Sequence, residues 1–265
     1  MNMIDAIILG AVQGASEFLP ISSSAHLVIG QALLGVDEPS IFLEVALHVG
    51  TLLAVLIYYW KDVVGLLTSF VCYAAGRDHE RHRDNYRMCW YIILGSIPAA
   101  VGGLLFKDWF EAKFDSAMFS GYMLLVTAGF LTATHFVKPS AKPINAIRAF
   151  LIGVAQFCAI LPGISRSGST IAAGLFQGIN ARAAARFSFL LSLPAVAGAV
   201  LLKAVDLTKV AEPITDLPAF AVGALVSFIV GIAAIHWLLK ILGGRKFYLF
   251  GFYCLLAGLF TIIYI

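Results

Sequence analysis

Three side chains of the kinds that move protons or grip phosphate, Glu17, His26 and Arg166, fall with a dense set of hydroxyls inside two stretches that are otherwise apolar. QGASEFLPISSSAH runs from Gln13 to His26 and holds Glu17, three consecutive serines and the histidine. QFCAILPGISRSGST runs from Gln156 to Thr170 and holds Arg166 amid hydroxyls and glycines. Both contain Leu-Pro followed by Ile-Ser-x-Ser. Polar groups at bilayer depth are costly, so two such islands point by default to a functional site.

Each residue type has its own chemistry. Glu17 lies one helical turn after Gln13, on the same face, and a carboxylate there can bind a divalent cation or activate a nucleophile. Pro20 ends the first arm, and Ser22, Ser23 and Ser24 are expected to cap the second. A buried helix N-terminus offers N–H groups and partial positive charge to an anion. His26, in the first turn of that arm, suits a general base, a general acid or a phosphoryl acceptor. In the second island Pro162 and Gly163 break the helix, and Ser165, Arg166, Ser167, Gly168, Ser169 and Thr170 form a small-residue nest. A guanidinium at this depth needs a partner: phosphate oxygens, which its fork matches, or the Glu17 carboxylate. The combination points to phosphate chemistry in a membrane cavity.

Other polar residues are placed more plainly. Glu44 and His48 are four apart and share a face, which lines the same cavity or sits at the outer interface. His135, His236, Trp60, Trp90, Trp109 and Trp237 read as interfacial. Arg182 and Arg186 read as an anchor of the fourth span at the cytoplasmic face, and His79 and His82 as members of a solvated charged run. Cys72, Cys89, Cys158 and Cys254 show no metal or redox spacing and are expected to be buried apolar fillers.

The elements that must position these groups follow from composition. The 265 residues are 60% hydrophobic and 12% charged, against about 25% charged in an average soluble domain, and mean hydropathy is +0.91. This excludes a soluble domain. Long continuous apolar runs, without the short alternating segments of a barrel, give an all-α polytopic membrane protein. No Lys/Arg run carries the aromatic interleaving of a nucleic-acid surface, so no nucleic acid partner is expected. The N-terminal residues lack the pattern of a removable signal peptide.

Six segments are long enough to cross a ~30 Å core, near 41–60, 88–106, 117–137, 184–203, 218–240 and 247–265. The regions 1–35 and 147–180 are broken midway into arms too short to span, as in re-entrant helix–turn–helix hairpins. Basic residues mark the loops 61–87, 138–148 and 240–246. In 107–116 Lys107 and Lys113 are set against Asp108, Glu111 and Asp115, and in 204–217 Lys209 against Asp206, Glu212 and Asp216. The positive-inside rule puts the first three in the cytoplasm, and this works only if both broken regions return to the side they entered. Each half, 1–137 and 147–265, is then one hairpin plus three spans. Three is odd, so the halves are inverted repeats within a single membrane domain.

Gln13-x-x-x-Glu17-Phe-Leu-Pro-Ile-Ser-Ser-Ser-Ala-His26 and Pro162-Gly-Ile-Ser-Arg166-Ser-Gly-Ser-Thr170 resemble the two signatures of the undecaprenyl-diphosphate phosphatase family, also called bacitracin-resistance proteins. The resemblance covers the whole chain in length, segment order and motif spacing. It implies a multi-pass enzyme of the bacterial cytoplasmic (inner) membrane, with its active site facing the outer, periplasmic side. The implied reaction hydrolyses undecaprenyl diphosphate to the monophosphate and inorganic phosphate, recycling the carrier of cell-wall precursors. It further implies a required divalent cation, Mg2+ or Ca2+, with Glu17, Ser23, His26 and Arg166 as catalytic positions. The family has Glu or Gln at the position of Gln13, and the Gln here removes one anionic metal ligand. On this reading Glu17 holds the cation, Arg166 and the nest clamp phosphate, and the nucleophile is Ser23 or a water with His26 moving the proton, or, alternatively, His26 itself. The polyprenyl tail lies between helices or in lipid, and a homodimer is compatible with this reading. The competing class is a transporter or flippase of a polyprenyl phosphate, since inverted repeats with broken helices are its signature too.

Overall fold

The computed structural model describes residues 2–36, 41–77, 79–114, 116–207 and 216–265. Among them all regular structure is helical. Five helices are long and apolar enough to cross a membrane: α3 (Ile41–Tyr58), α5 (His79–Leu105), α7 (Ala117–Ala133) together with the 3-10 turn that extends it to Phe136, α10 (Ala181–Leu207) and α11 (Leu217–Gly243). The sixth expected span, α12 (Leu249–Tyr264), has 16 residues, about 24 Å at 1.5 Å per residue. It packs lengthwise on α7.

The two broken regions fold as pairs of short helices. The first is α1 (Met3–Phe18) and α2 (Ser23–Leu34), and the second is α8 (Ala146–Cys158) and α9 (Arg166–Phe176). The longest of these four arms, α1, is 16 residues, again ~24 Å and short of a ~30 Å core. The sequence stops each arm where expected. Asn2 and Asp5 form a reciprocal capping box at the start of α1, and Pro20 and Pro162 follow the ends of α1 and α8.

Small residues let the arms dock. A Cβ on Gly10 of α1 would lie 2.4 Å from the carbonyl oxygen of Gly223 in α11, and one on Gly153 of α8 would lie 2.2 Å from that of Gly95 in α5. Only glycine permits such approach, the usual device where lipid supplies no hydrophobic force between helices. α3 packs on α10 and α11, and α9 on α10. Ion pairs join Arg186 near the start of α10 to Asp62, just past the end of α3, and Lys203 near the end of α10 to Glu44 near the start of α3. The two helices therefore run antiparallel.

Three expectations need correction. The charged stretch 61–87 is not one loop. It holds α4 (Trp60–Ala74) and the opening turns of α5, which carry Arg81, Arg83 and Arg87. Trp60, Val64, Leu67 and Val71, spaced along one face of α4, are 40–65% exposed, while Leu66 and Ser69 are buried, the pattern of a helix lying against lipid. Of the cysteines only Cys254 is buried, and Cys158 is exposed; an apolar exterior admits a thiol as readily as a core does. α6 (Lys107–Phe114) fills most of a segment expected to be loop. Asp115, Lys209 and Glu212 lie outside the described residues, as do the side chains of Glu111, Asp206 and His79. His82 hydrogen-bonds the Ser69 hydroxyl at 2.9 Å. The four tryptophans are all exposed, Trp60 most at 61%.

Candidate active site

The two proline turns meet inside the bundle. Ser167 Oγ donates to the Leu19 carbonyl at 3.1 Å, and the Gly163 N–H donates to Ser24 Oγ at 3.4 Å. Thr127 of α7 braces the second turn, donating to the Gly163 carbonyl at 2.9 Å and accepting from the Ser165 N–H at 3.2 Å. Gly163 sits at φ +96°, and a Cβ there would lie 2.2 Å from the Ser120 carbonyl oxygen. Glycine is thus required for both conformation and space.

At this junction Glu17, the last acidic residue of α1, meets Arg166, the first residue of α9. Arg166 Nη2 donates to Glu17 Oε1 at 2.6 Å. Glu17 Oε2 accepts from Ser23 Oγ at 2.6 Å and from Gln13 Nε2 at 3.2 Å. The carboxylate side chain is only 8% exposed and the guanidinium 15%. Removing one partner from such a pair costs about 3–5 kcal/mol, because the other charge stays buried and unmatched. The pair adjoins a narrow void walled by Thr51 and Val55 of α3 and Ser192 and Val196 of α10.

Two buried polar atoms at the pair, Gln13 Oε1 and Arg166 Nη1, have no protein partner. Buried polar groups are almost always hydrogen-bonded, so these two orphans, one acceptor and one donor, fit a site made for a bound ion and an anion. The oxygen donors Glu17, Gln13 and Ser23 suit a hard divalent cation. Among the described residues no cluster of three or more His, Cys, Asp or Glu exists. That donor set matches a Mg2+-type site held by one carboxylate together with substrate phosphates, not an all-protein cage.

His26 is close in sequence and has a partner at each ring nitrogen. Its Nδ1 is 2.8 Å from the Ser22 carbonyl and its Nε2 is 2.7 Å from the Tyr253 hydroxyl. Since a carbonyl only accepts, Nδ1 carries the proton, and in the neutral ring Nε2 accepts from Tyr253. The ring makes no hydrogen bond to Ser23 among the described contacts.

The hydroxyls divide between the pair and the turns. Ser22 was expected to cap α2, yet it has φ +71° and makes no side-chain cap bond. Its Oγ instead lies 3.2 Å from Ser24 Oγ, in the first turn of α2. Ser165 does cap α9, accepting from the Gly168 N–H at 3.0 Å, and its Oγ lies 3.3 Å from Ser167 Oγ. The Ser169 N–H bonds the Ser165 carbonyl. Thr170 Oγ1 donates to the Arg166 carbonyl at 2.8 Å and lies 2.5 Å from Ser188 Oγ of α10. Glu44 is taken by Lys203, whereas His48 lies within electrostatic reach of Glu17. Sequence reasoning missed Tyr253, Thr127, Thr51 and Ser192. Each is an isolated polar residue in an apolar span, with no local motif to mark it.

Fold and site together define a polytopic helical membrane protein with a carboxylate–guanidinium pair buried where two broken helices meet. A match to the Bacitracin resistance protein BacA family runs over residues 6–260, and the chain belongs to that family. It is 42% identical to an undecaprenyl-diphosphatase of Methanosphaera stadtmanae, over 99% of this chain and 98% of the relative. It is 40% identical to one of Desulforapulum autotrophicum, over 99% and 98%, and 44% identical to one of Desulfosudis oleivorans, over 97% of each. Relatives in archaea mean that membership alone does not fix a bacterial source.

Proposed function

We propose that the protein is an undecaprenyl-diphosphatase, which cleaves the terminal phosphate from undecaprenyl diphosphate and returns the monophosphate carrier. The full-length relatives above support this activity. The observation that carries the chemistry is the buried triangle of Arg166, Glu17 and Ser23, with an orphaned guanidinium nitrogen and an orphaned amide oxygen at its edge.

Phosphoryl transfer asks chiefly for positioning and charge neutralisation. In the proposed cycle the substrate's terminal phosphate displaces the carboxylate from Arg166, whose fork then grips two phosphate oxygens. Ser23 Oγ attacks the terminal phosphorus while its proton passes to Glu17 Oε2, to which it is already bonded at 2.6 Å. The bond from that phosphorus to the bridging oxygen breaks, and undecaprenyl phosphate leaves. Water then hydrolyses the phosphoserine, returning the hydroxyl and releasing inorganic phosphate. A divalent cation, held by Glu17 with Gln13 Oε1 beside it, would supply further charge neutralisation when bound. His26, locked between Ser22 and Tyr253, fixes the first turn of α2 on which Ser23 stands.

The proposed architecture is six spans with two re-entrant hairpins, related as inverted repeats. Several observations support it. α1 docks on α11 through Gly10, and α8 docks on α5 through Gly153 at the matching place in the second half. α3 and α10 run antiparallel, as inverted counterparts should. The site then opens toward the outer leaflet of the cytoplasmic membrane, with the C55 tail in lipid.

The test is phosphate release from undecaprenyl diphosphate by the purified protein in detergent micelles with Mg2+ or Ca2+. Transport across a membrane is impossible there, so release supports the hydrolase. No release from folded wild type with any cation would reject it in favour of a flippase. Ser23→Ala separates the routes: a loss of about 100-fold or more supports the covalent path, and near-normal release assigns attack to water.

A further inference from the structure

Two of the three basic segments, 138–148 and 240–246, converge on a cavity that the phosphatase site does not use. About 750 Å³ in volume, it opens between the end of α7, the turn from α9 into α10 and the turn from α11 into α12. Lys138, Arg182, Arg245 and Lys246 line it with His135, and no Asp or Glu is among the described lining residues. These five are exposed at the rim, while Ile179, Leu242 and Phe247 form a buried apolar floor.

The walls are tied in place. The Lys142 N–H donates to the Gly178 carbonyl at 3.0 Å, joining the segment after α7 to the turn before α10. The His135 ring packs edge-on against Tyr248, with centroids 4.5 Å apart. A Cβ on Gly243 would come within 3.5 Å of Arg182 Nη2, so this guanidinium lies against the end of α11. None of the ion pairs found among the described residues engages a lining cation. Four like charges around one cavity repel one another, and an anion seated among them removes that cost. Arginine forks match phosphate oxygens, and basic pockets between membrane helices suit anionic lipid headgroups. The apolar floor suits the glycerol and first methylenes of such a lipid.

We propose that this cavity is a second, non-catalytic site for a phosphate group, either the phosphodiester headgroup of an anionic phospholipid or free inorganic phosphate. It shares no lining residue with the void at Glu17 and Arg166. Leu175 on its wall lies nine residues along α9 from Arg166, about 14 Å.

The test measures binding without turnover, so its outcome is independent of the phosphatase reading. Purified protein in neutral detergent is titrated with short-chain phosphatidylglycerol, with phosphatidylcholine and with inorganic phosphate, read by native mass spectrometry and by the unfolding midpoint. The expected result is saturable, salt-sensitive binding of phosphatidylglycerol but not phosphatidylcholine. Lys138→Ala/Arg182→Ala/Lys246→Ala should weaken it about 100-fold. Competition by inorganic phosphate assigns the site to phosphate anions generally, and its absence assigns it to the lipid headgroup. Lys246→Glu, a single exposed change, gives a second reading if the triple variant does not fold. Equal binding of both lipids with no phosphate binding, or undiminished binding in a folded variant, would overturn the proposal.

Discussion

At the scale of single residues, the proposed site works by exchange of partners. Arg166 Nη2 and Glu17 Oε1 pair at 2.6 Å, which offsets two buried charges, and in the proposed cycle a phosphate takes the place of the carboxylate. Arg166→Lys keeps the charge but loses the fork, so it should fall well short of wild-type turnover while leaving the fold intact. Tyr253→Phe removes one hydrogen bond from His26 Nε2 but leaves the Ser22 carbonyl on Nδ1. A neutral hydrogen bond is worth about 0.5–1.5 kcal/mol, so turnover should drop by no more than about 10-fold. A loss equal to that of His26→Ala would show that Tyr253 does more than hold the ring. The acid, the arginine and the serines were legible in sequence because charge and hydroxyls stand out in apolar runs. Tyr253 and Thr127 were not, since one tyrosine or threonine in a span looks like any other until tertiary contacts place it.

At the scale of helices, glycine decides how close the short arms come. Gly10→Val and Gly153→Val each force a side chain into a facing carbonyl, 2.4 and 2.2 Å from where the Cβ must sit. Each should destabilise the protein by about 1–3 kcal/mol, read as a lowered unfolding midpoint in detergent. Gly129→Ala, with nothing within 4 Å, should hold or raise that midpoint. If Gly129→Ala is as damaging as the two valines, the close-approach account fails. The hairpin breaks were legible because proline and glycine interrupt apolar runs. α4 was hidden because charge at 61–87 reads as loop, and a helix of 15 residues has no spanning run to reveal it. The cap at Ser22 failed because the tight turn after Pro20 imposes φ +71° there, a tertiary demand that overrides a local preference.

At the scale of the whole molecule, the proposed inverted topology places the basic cavity and the acidic-flanked segments on opposite faces. Single cysteines at Ser140 and at Ser116, in a background with native cysteines replaced, should react with an impermeant maleimide from opposite sides of sealed vesicles. Ser140 should label from the cytoplasmic side. Labelling of both from one side would break the topology. Loop charge carried this reading from the sequence, and the antiparallel α3–α10 pair supports it with Arg186–Asp62 and Lys203–Glu44 at its two ends.

The central claim is that neither hairpin is a site alone, and that catalysis needs the contact between Glu17 on the first and Arg166 on the second. The most direct measurement is phosphate release from undecaprenyl diphosphate in micelles by Glu17→Gln and Arg166→Ala beside wild type. Unfolding midpoints identify which variants remain folded. The account predicts that each folded variant loses about 100-fold or more. Near-normal release by either folded variant would contradict it, because one turn would then suffice.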